Sequence, residues 1–332
     1  MTDESRRGGR VPNRREFVGL GVGAFVVAAL PAVLRRDRGL IRRRIPVMGT
    51  VAEVAVVHRD GRYAQAAASA ALAELRRVDR TMTRFDPTSE VGRANRAALR
   101  RPVDVSGGTA DVVEAALRWA ELSDGVFDPA LAGAAALWSP DRRSEPPPAA
   151  EVRRWADRRL WRSVEVDRGP AGAALRFHDP DAALDLGGIA KGHGVDRAAA
   201  VLREWGIVDG LVNAGGDLYA LGTSEDGDPW EVGVRDPADP RRLSTTLRIR
   251  DGAVATSGDY EAFFEHGGRR YHHLLDPATG EPRRTRVRSL TVAAPHCMTA
   301  DAAATALFGD PGAEAERTLA EAAPGASIRH SA

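Results

Sequence analysis

From Leu184 to Trp205 the chain runs from an apolar stretch through Asp185-Leu-Gly-Gly-Ile-Ala-Lys-Gly192 into a helical pattern that Gly206 stops. A strand, a glycine turn and a helix over Gly194–Trp205 must therefore follow one another directly. Adjacent glycines let backbone N–H groups approach a phosphate, and the helix start adds the positive end of its dipole. Lys191 adds a full charge, and it is the only lysine among 47 Lys and Arg residues. A compact ammonium fits where a guanidinium fork would not. The pattern is neither GxGxxG nor a Walker loop, so the standard dinucleotide and P-loop readings fail. A phosphate cradle and a tight structural turn both remain open.

The rest of the body mixes strands and helices without strict alternation. Val51–Val57 and Gly210–Ala214 read as strands, as do Leu218–Leu221, Trp230–Val234, Thr245–Ile249, Ala253–Thr256, Arg270–Leu275 and Ser289–Ala294. Tyr63–Val78, Thr109–Leu122 and Thr299–Phe308 have helical spacing, with Ser106 or Thr109 as an N-cap. This favours α+β over a doubly wound sheet. With 332 residues, 43% of them hydrophobic, a sizeable core is available. The proline-rich loop 139–149 is the best internal break, but motifs on both sides serve one site, so 42–332 is read as one catalytic domain.

Net charge is +1, which gives no global field for nucleic acid, but it is unevenly spread. Residues 1–44 hold 11 Arg against four acids. Arg14-Arg15 precede an apolar run, Phe17 to Leu34, with Arg35-Arg36 behind it. Twin arginines before such a run predict a twin-arginine export signal over 1–41, cleaved or kept as an anchor. A plain membrane helix is the alternative; both place the body outside the cytoplasm, at the cell envelope.

Two further clusters bear on chemistry. Asp301 and Thr305 lie four residues apart, so they share one face of a helix otherwise made of alanine. Hard oxygen ligands without His or Cys suit Mg²⁺ completed by phosphate and water; a plain N-terminal cap is the other reading of Asp301. His272 and His273 are adjacent, so on a strand they point to opposite faces and one can enter a site. An imidazole titrating near 6.5 suits removal of a hydroxyl proton. A lone cysteine, Cys297, rules out an intrachain disulfide and a cysteine-rich metal site.

At these residues the chain resembles the ApbE family of FAD:protein FMN transferases. The matching segments are Met48-Gly-Thr50, Arg84-Phe-Asp86 with Ser89 and Asn95, Gly125-Val-Phe-Asp-Pro129, and Asp185–Gly192 with Asp196. They continue through Asn213-Ala-Gly-Gly-Asp217, Ala255–Tyr260, His273–Gly280 and Ala300–Thr305, collinear over roughly residues 45–310. The resemblance implies an exported transferase whose Mg²⁺ is held by Asp301, Thr305 and the Gly188 carbonyl. It implies FAD contacts from Met48, Phe85, Val126, Phe127, Asp128, Asp185, Lys191 and Leu274, with His273 as the base. The acceptor would be a Thr or Ser hydroxyl on an exported or membrane flavoprotein; homodimerisation is left open. Phe85 stands where the family usually has Tyr, which keeps stacking but loses a phenol hydrogen bond. Gly188 replaces a common Ala. The C-terminus after Ala323 is short, which counts against a final strand. FAD hydrolysis to FMN and AMP, and non-catalytic FAD binding or storage, are the rival readings.

Overall fold

The computed structural model describes residues 25–27, 38–170, 172–239, 241–309 and 312–331. The export-signal reading over 1–41 lies outside these residues, apart from the three-residue strand Phe25–Val27 and residues 38–41, where the strand Gly39–Val47 begins. Among the described residues no helix is long and apolar enough to cross a membrane.

The main sheet has seven strands, β1 (Gly39–Val47), β2 (Thr50–His58), β3 (Gly210–Ala214), β4 (Asp217–Leu221), β5 (Gly252–Gly258), β6 (Ser289–Ala294) and β7 (Ser327–Ser331). They lie side by side in that order. Every neighbouring pair is antiparallel. The sheet is thus a meander whose long connections carry the remaining elements. β7 pairs with β6 along Ser327–Ser331, so the expectation that the chain lacks a final strand is corrected.

Six helices matter to the layering: α1 (Gly61–Met82), α2 (Glu90–Ala97), α3 (Gly107–Leu122), α4 (Ala190–Glu204), α5 (Cys297–Ala306) and α6 (Ala313–Ala322). Alternate residues of β2 enter opposite cores. Ala52, Val54 and Val56 pack with Leu72 and Leu75 of α1 and Val195 and Leu202 of α4. Ala55 and Val57 pack with Trp230, Val232 and Val234 of the ribbon Trp230–Arg235/Leu243–Ile249. Both faces are covered, which is why this antiparallel sheet reads as nearly continuous apolar runs. Burying a side chain such as Leu75, with none of its surface exposed, is worth about 1.5–3 kcal/mol. Glu53 is the polar exception in β2, buried but paired with Arg42 at 3.4 Å and with Arg44.

Two differences from the sequence reading bear on the site. α4 begins at Ala190, four residues earlier than expected, so Lys191 lies in its first turn. The glycines there are not loop formers. A Cβ on Gly192 would meet the Cys297 carbonyl oxygen at 2.4 Å, and one on Gly194 would meet Leu75 at 3.1 Å. They are small because α4 passes close to α5 and α1. The strand expected over Arg270–Leu275 is two strands, Arg269–His272 and Leu275–Asp276, which pair with different partners, Phe263–His266 and Glu281–Pro282. His273 and Leu274 form the bend between them.

Candidate functional site

One cleft collects most of the residues singled out in the sequence. Its walls are the loop Val126–Pro129, the turn at Asp185, Gly187 and Gly188, Lys191 of α4, Thr256 and Ser257 of β5, the bend His273–Leu275, and Asp301 and Thr305 of α5. Met48 and Phe85 are not in this wall. Met48 packs against the two large apolar clusters beside α4, and its backbone N–H donates to Asp79 at 3.1 Å. Phe85 is 74% exposed, with the Arg84 guanidinium 4.3 Å above its ring. Arg84 in turn pairs with Asp185 at 2.9 Å, so Phe85 stands at the rim.

The centre of the cleft is a charge cluster. The β3–β4 hairpin turns on Gly215 and Gly216, whose φ values of 65° and 103° suit a tight two-residue turn. That turn sets Asp217 at the head of β4, where it is 2% exposed and bonded to the Lys191 ammonium. The same ammonium lies 3.5 Å from Asp301, which is 3% exposed. The other oxygen of Asp301 accepts the Gly192 N–H at 2.9 Å. Asp301 is not a helix cap, because α5 starts at Cys297 with His296 as its N-cap. Asp196 of α4 instead accepts the first N–H groups of α5, from Cys297 at 2.8 Å and Met298 at 2.9 Å. This latch and the Gly192 approach bring Lys191 and Asp301 together.

Burial alone would discharge Lys191, but the Asp217 and Asp301 carboxylates outweigh it and hold the ammonium above its usual range. Both carboxyls are also raised, first by burial; Asp301 adds its repulsion at Asp217, and Lys191 opposes the shift in each. One cation between two buried acids leaves surplus negative charge. Glu261 lines the same cleft. Solvent reaches it, yet the walls desolvate it enough to push its pKa up to about 7, against the pull of Lys191.

Thr305 faces Ser257 across 3.2 Å. A Cβ built on Gly188 would touch Thr305 and Phe127 at 3.0–3.1 Å, so the glycine turn lies against the hydroxyl. A carboxylate, a hydroxyl and a nearby backbone carbonyl form an oxygen-only set suited to a hard cation. The glycine turn is less open than its sequence suggests, because Asp185 takes the Gly187 N–H at 3.0 Å. Asp128, in the same wall, is raised to about 6 by burial, and its Oδ2 has no hydrogen-bond partner.

The two histidines separate as their adjacency implies. His272 is buried, donates through Nε2 to the Arg283 carbonyl at 3.0 Å and packs edge-on to Phe308. His273 faces the cleft. Its Nδ1 lies 3.3 Å from the Ala262 carbonyl, which can only accept, so the lone pair is on Nε2. Desolvation lowers its pKa to about 4, so the ring is neutral at neutral pH. The sequence reading missed Asp217, Glu261, Ser257 and Arg283 as parts of the site. For Asp217 a signal existed in Asn213-Ala-Gly-Gly-Asp217, a turn ending in a carboxylate.

The antiparallel meander that carries this cleft is a fold shared with known flavin transferases. The ApbE protein of Thermotoga maritima superposes with a TM-score of 0.77 at 30% identity, covering 87% of this chain and 94% of that one. The flavin transferase ApbE of Vibrio cholerae gives 0.75 at 29% identity, covering 88% and 93%. The FAD:protein FMN transferase of Haemophilus influenzae is 32% identical over 70% of this chain and 69% of its own length. That of V. cholerae is 34% identical over 79% of each. The ApbE family model matches residues 48–328, and the chain belongs to the ApbE family.

Proposed function

We propose that this transferase moves the FMN half of FAD to a Thr or Ser hydroxyl of an exported partner protein and releases AMP. The observation that carries this is the single ammonium shared by two buried carboxylates beside Thr305. Such a cluster is short of positive charge, and a divalent cation would supply it. Among the described residues no three His, Cys, Asp or Glu side chains form a metal cage. Asp301, Thr305 and the Gly188 carbonyl would therefore hold Mg²⁺ jointly with phosphate oxygens. When bound, the ion supplies charge neutralisation at the diphosphate.

The chain's own residues do the rest. Lys191 holds a diphosphate oxygen. Val126–Asp128, Asp185 and Leu274 orient the flavin half. His273 accepts the hydroxyl proton at Nε2 as the hydroxyl oxygen bonds the FMN-side phosphorus; the bond to the AMP oxygen breaks and AMP leaves. The export reading rests on the twin-arginine pattern of the leader.

The test is incubation with FAD, Mg²⁺ and a Thr-containing acceptor, followed by intact-mass spectrometry. A covalent FMN increment with AMP release supports transfer. Free FMN with no modified acceptor would replace transfer by hydrolysis, and FAD retained without AMP would replace it by storage.

A further inference from the structure

Arg283 follows the Asp276-Pro-Ala-Thr-Gly280 turn and reaches back across the cleft wall. Its Nε donates to the Leu275 carbonyl at 2.9 Å. Its Nη1 donates to the Thr305 carbonyl at 2.8 Å and the Phe308 carbonyl at 2.9 Å. Its Nη2 donates to the Val126 carbonyl at 2.7 Å. Among the described residues no carboxylate pairs with it. Burial lowers its pKa only to about 10, so the guanidinium stays charged.

These carbonyls, with that of Ala306 at 3.5 Å from Nη1, belong to three separate parts of the cleft. Val126 opens the loop assigned to the flavin half, Leu275 ends the bend that carries His273, Thr305 lies in the last turn of α5, and Phe308 lies just beyond its C-cap Leu307. The last carbonyls of a helix have no partner within it and carry the negative end of its dipole. Without a donor they would lie unsatisfied beside a site already rich in negative charge. A planar fork with five N–H groups can hold all three segments at once, which an ammonium cannot.

We propose that Arg283 is a positioning residue: it fixes the Thr305 hydroxyl, the Val126–Asp128 loop and the His273 bend in one register for FAD and Mg²⁺. The role rests on the flavin-transfer reading above. The donors of Arg283 are committed to backbone carbonyls, so its effect should appear in assembly of the site.

The experiment titrates FAD calorimetrically into the full chain over a series of Mg²⁺ concentrations, with thermal unfolding recorded without Mg²⁺. Arg283→Met keeps the length and removes the donors; Arg283→Lys keeps the charge and some donors. Folded R283M is expected to need roughly tenfold or more Mg²⁺ for half-maximal FAD binding, the scale of losing a ligand-orienting contact. R283K should fall between R283M and the parent. A Mg²⁺ requirement in R283M equal to the parent's overturns the positioning role and leaves the flavin reading intact. Failure of both variants to fold also overturns it, since Arg283 is then a structural residue. If the parent chain binds no FAD at any Mg²⁺ concentration, the flavin reading fails and takes this role with it.

Discussion

Lys191 illustrates how one side chain sets the charge state of its surroundings. Among the described residues it is the sole counter-ion to both Asp217 and Asp301, and those carboxyls are raised despite it. Lys191→Met would raise them further. A carboxyl whose pKa is higher folded than unfolded binds its proton more tightly in the fold. Its contribution is present at low pH and is lost as pH rises through the folded value. The stability deficit of K191M should therefore widen as pH rises above the unfolded carboxyl value of about 4, reaching about 3–5 kcal/mol for a broken buried pair. Thermal unfolding across that range checks it; a constant deficit would contradict the charge account. Asp301→Ala should leave a folded protein with FMN transfer reduced by at least about 100-fold. Transfer at the parent rate in Mg²⁺ would exclude Asp301 as a ligand.

The site depends on how α4 and α5 cross, and that crossing is testable apart from chemistry. A methyl at residue 192 would overlap the Cys297 carbonyl, so Gly192→Ala should cost about 1–3 kcal/mol by overpacking. Asp196 caps α5 from outside that helix. Asp196→Ala should cost about 1–2 kcal/mol, as loss of an N-cap does. Denaturant midpoints of both variants measure these losses, and unchanged midpoints would show that the crossing tolerates slack. This scale also shows what the sequence made legible. The Asp301–Thr305 spacing, the solitary lysine and the histidine pair stood out because each breaks a local pattern. Asp217, Glu261 and Arg283 did not, because their partners are distant in the chain: Lys191 for Asp217, and Val126 for Arg283. The start of α4 was misplaced for a related reason. Glycines that serve a helix crossing look like glycines that serve a turn until the second helix is in view.

At the scale of the molecule, α+β character and the five inner strands of the main sheet were readable from periodicity, whereas the edge strands Gly39–Val47 and Ser327–Ser331 and the sheet order were not, since pairing is long-range. One global property follows from His193, which lies outside the cleft wall. Burial, then Arg197 and Arg77, lower its pKa to about 4, while Asp111 and Glu74 oppose this. A histidine held neutral in the fold and free to protonate when unfolded contributes stability above its unfolded pKa near 6.5. That contribution is lost as pH falls toward 4. His193→Gln should therefore flatten the acid side of the stability profile between those values. An unchanged acid limb in thermal unfolding would assign that loss to other groups. The consecutive order of the strands has a further consequence for biosynthesis. Each strand pairs with the one before it in the sheet, but β2 waits for β3 across the whole α1–α4 segment, so the sheet is joined only after α4 has been made. The ligands then arrive in sequence: flavin loop, ammonium, imidazole, and last the carboxylate–hydroxyl pair. Under the proposed function, the groups assigned to the cation are completed only when α5 is made, after every other wall of the cleft.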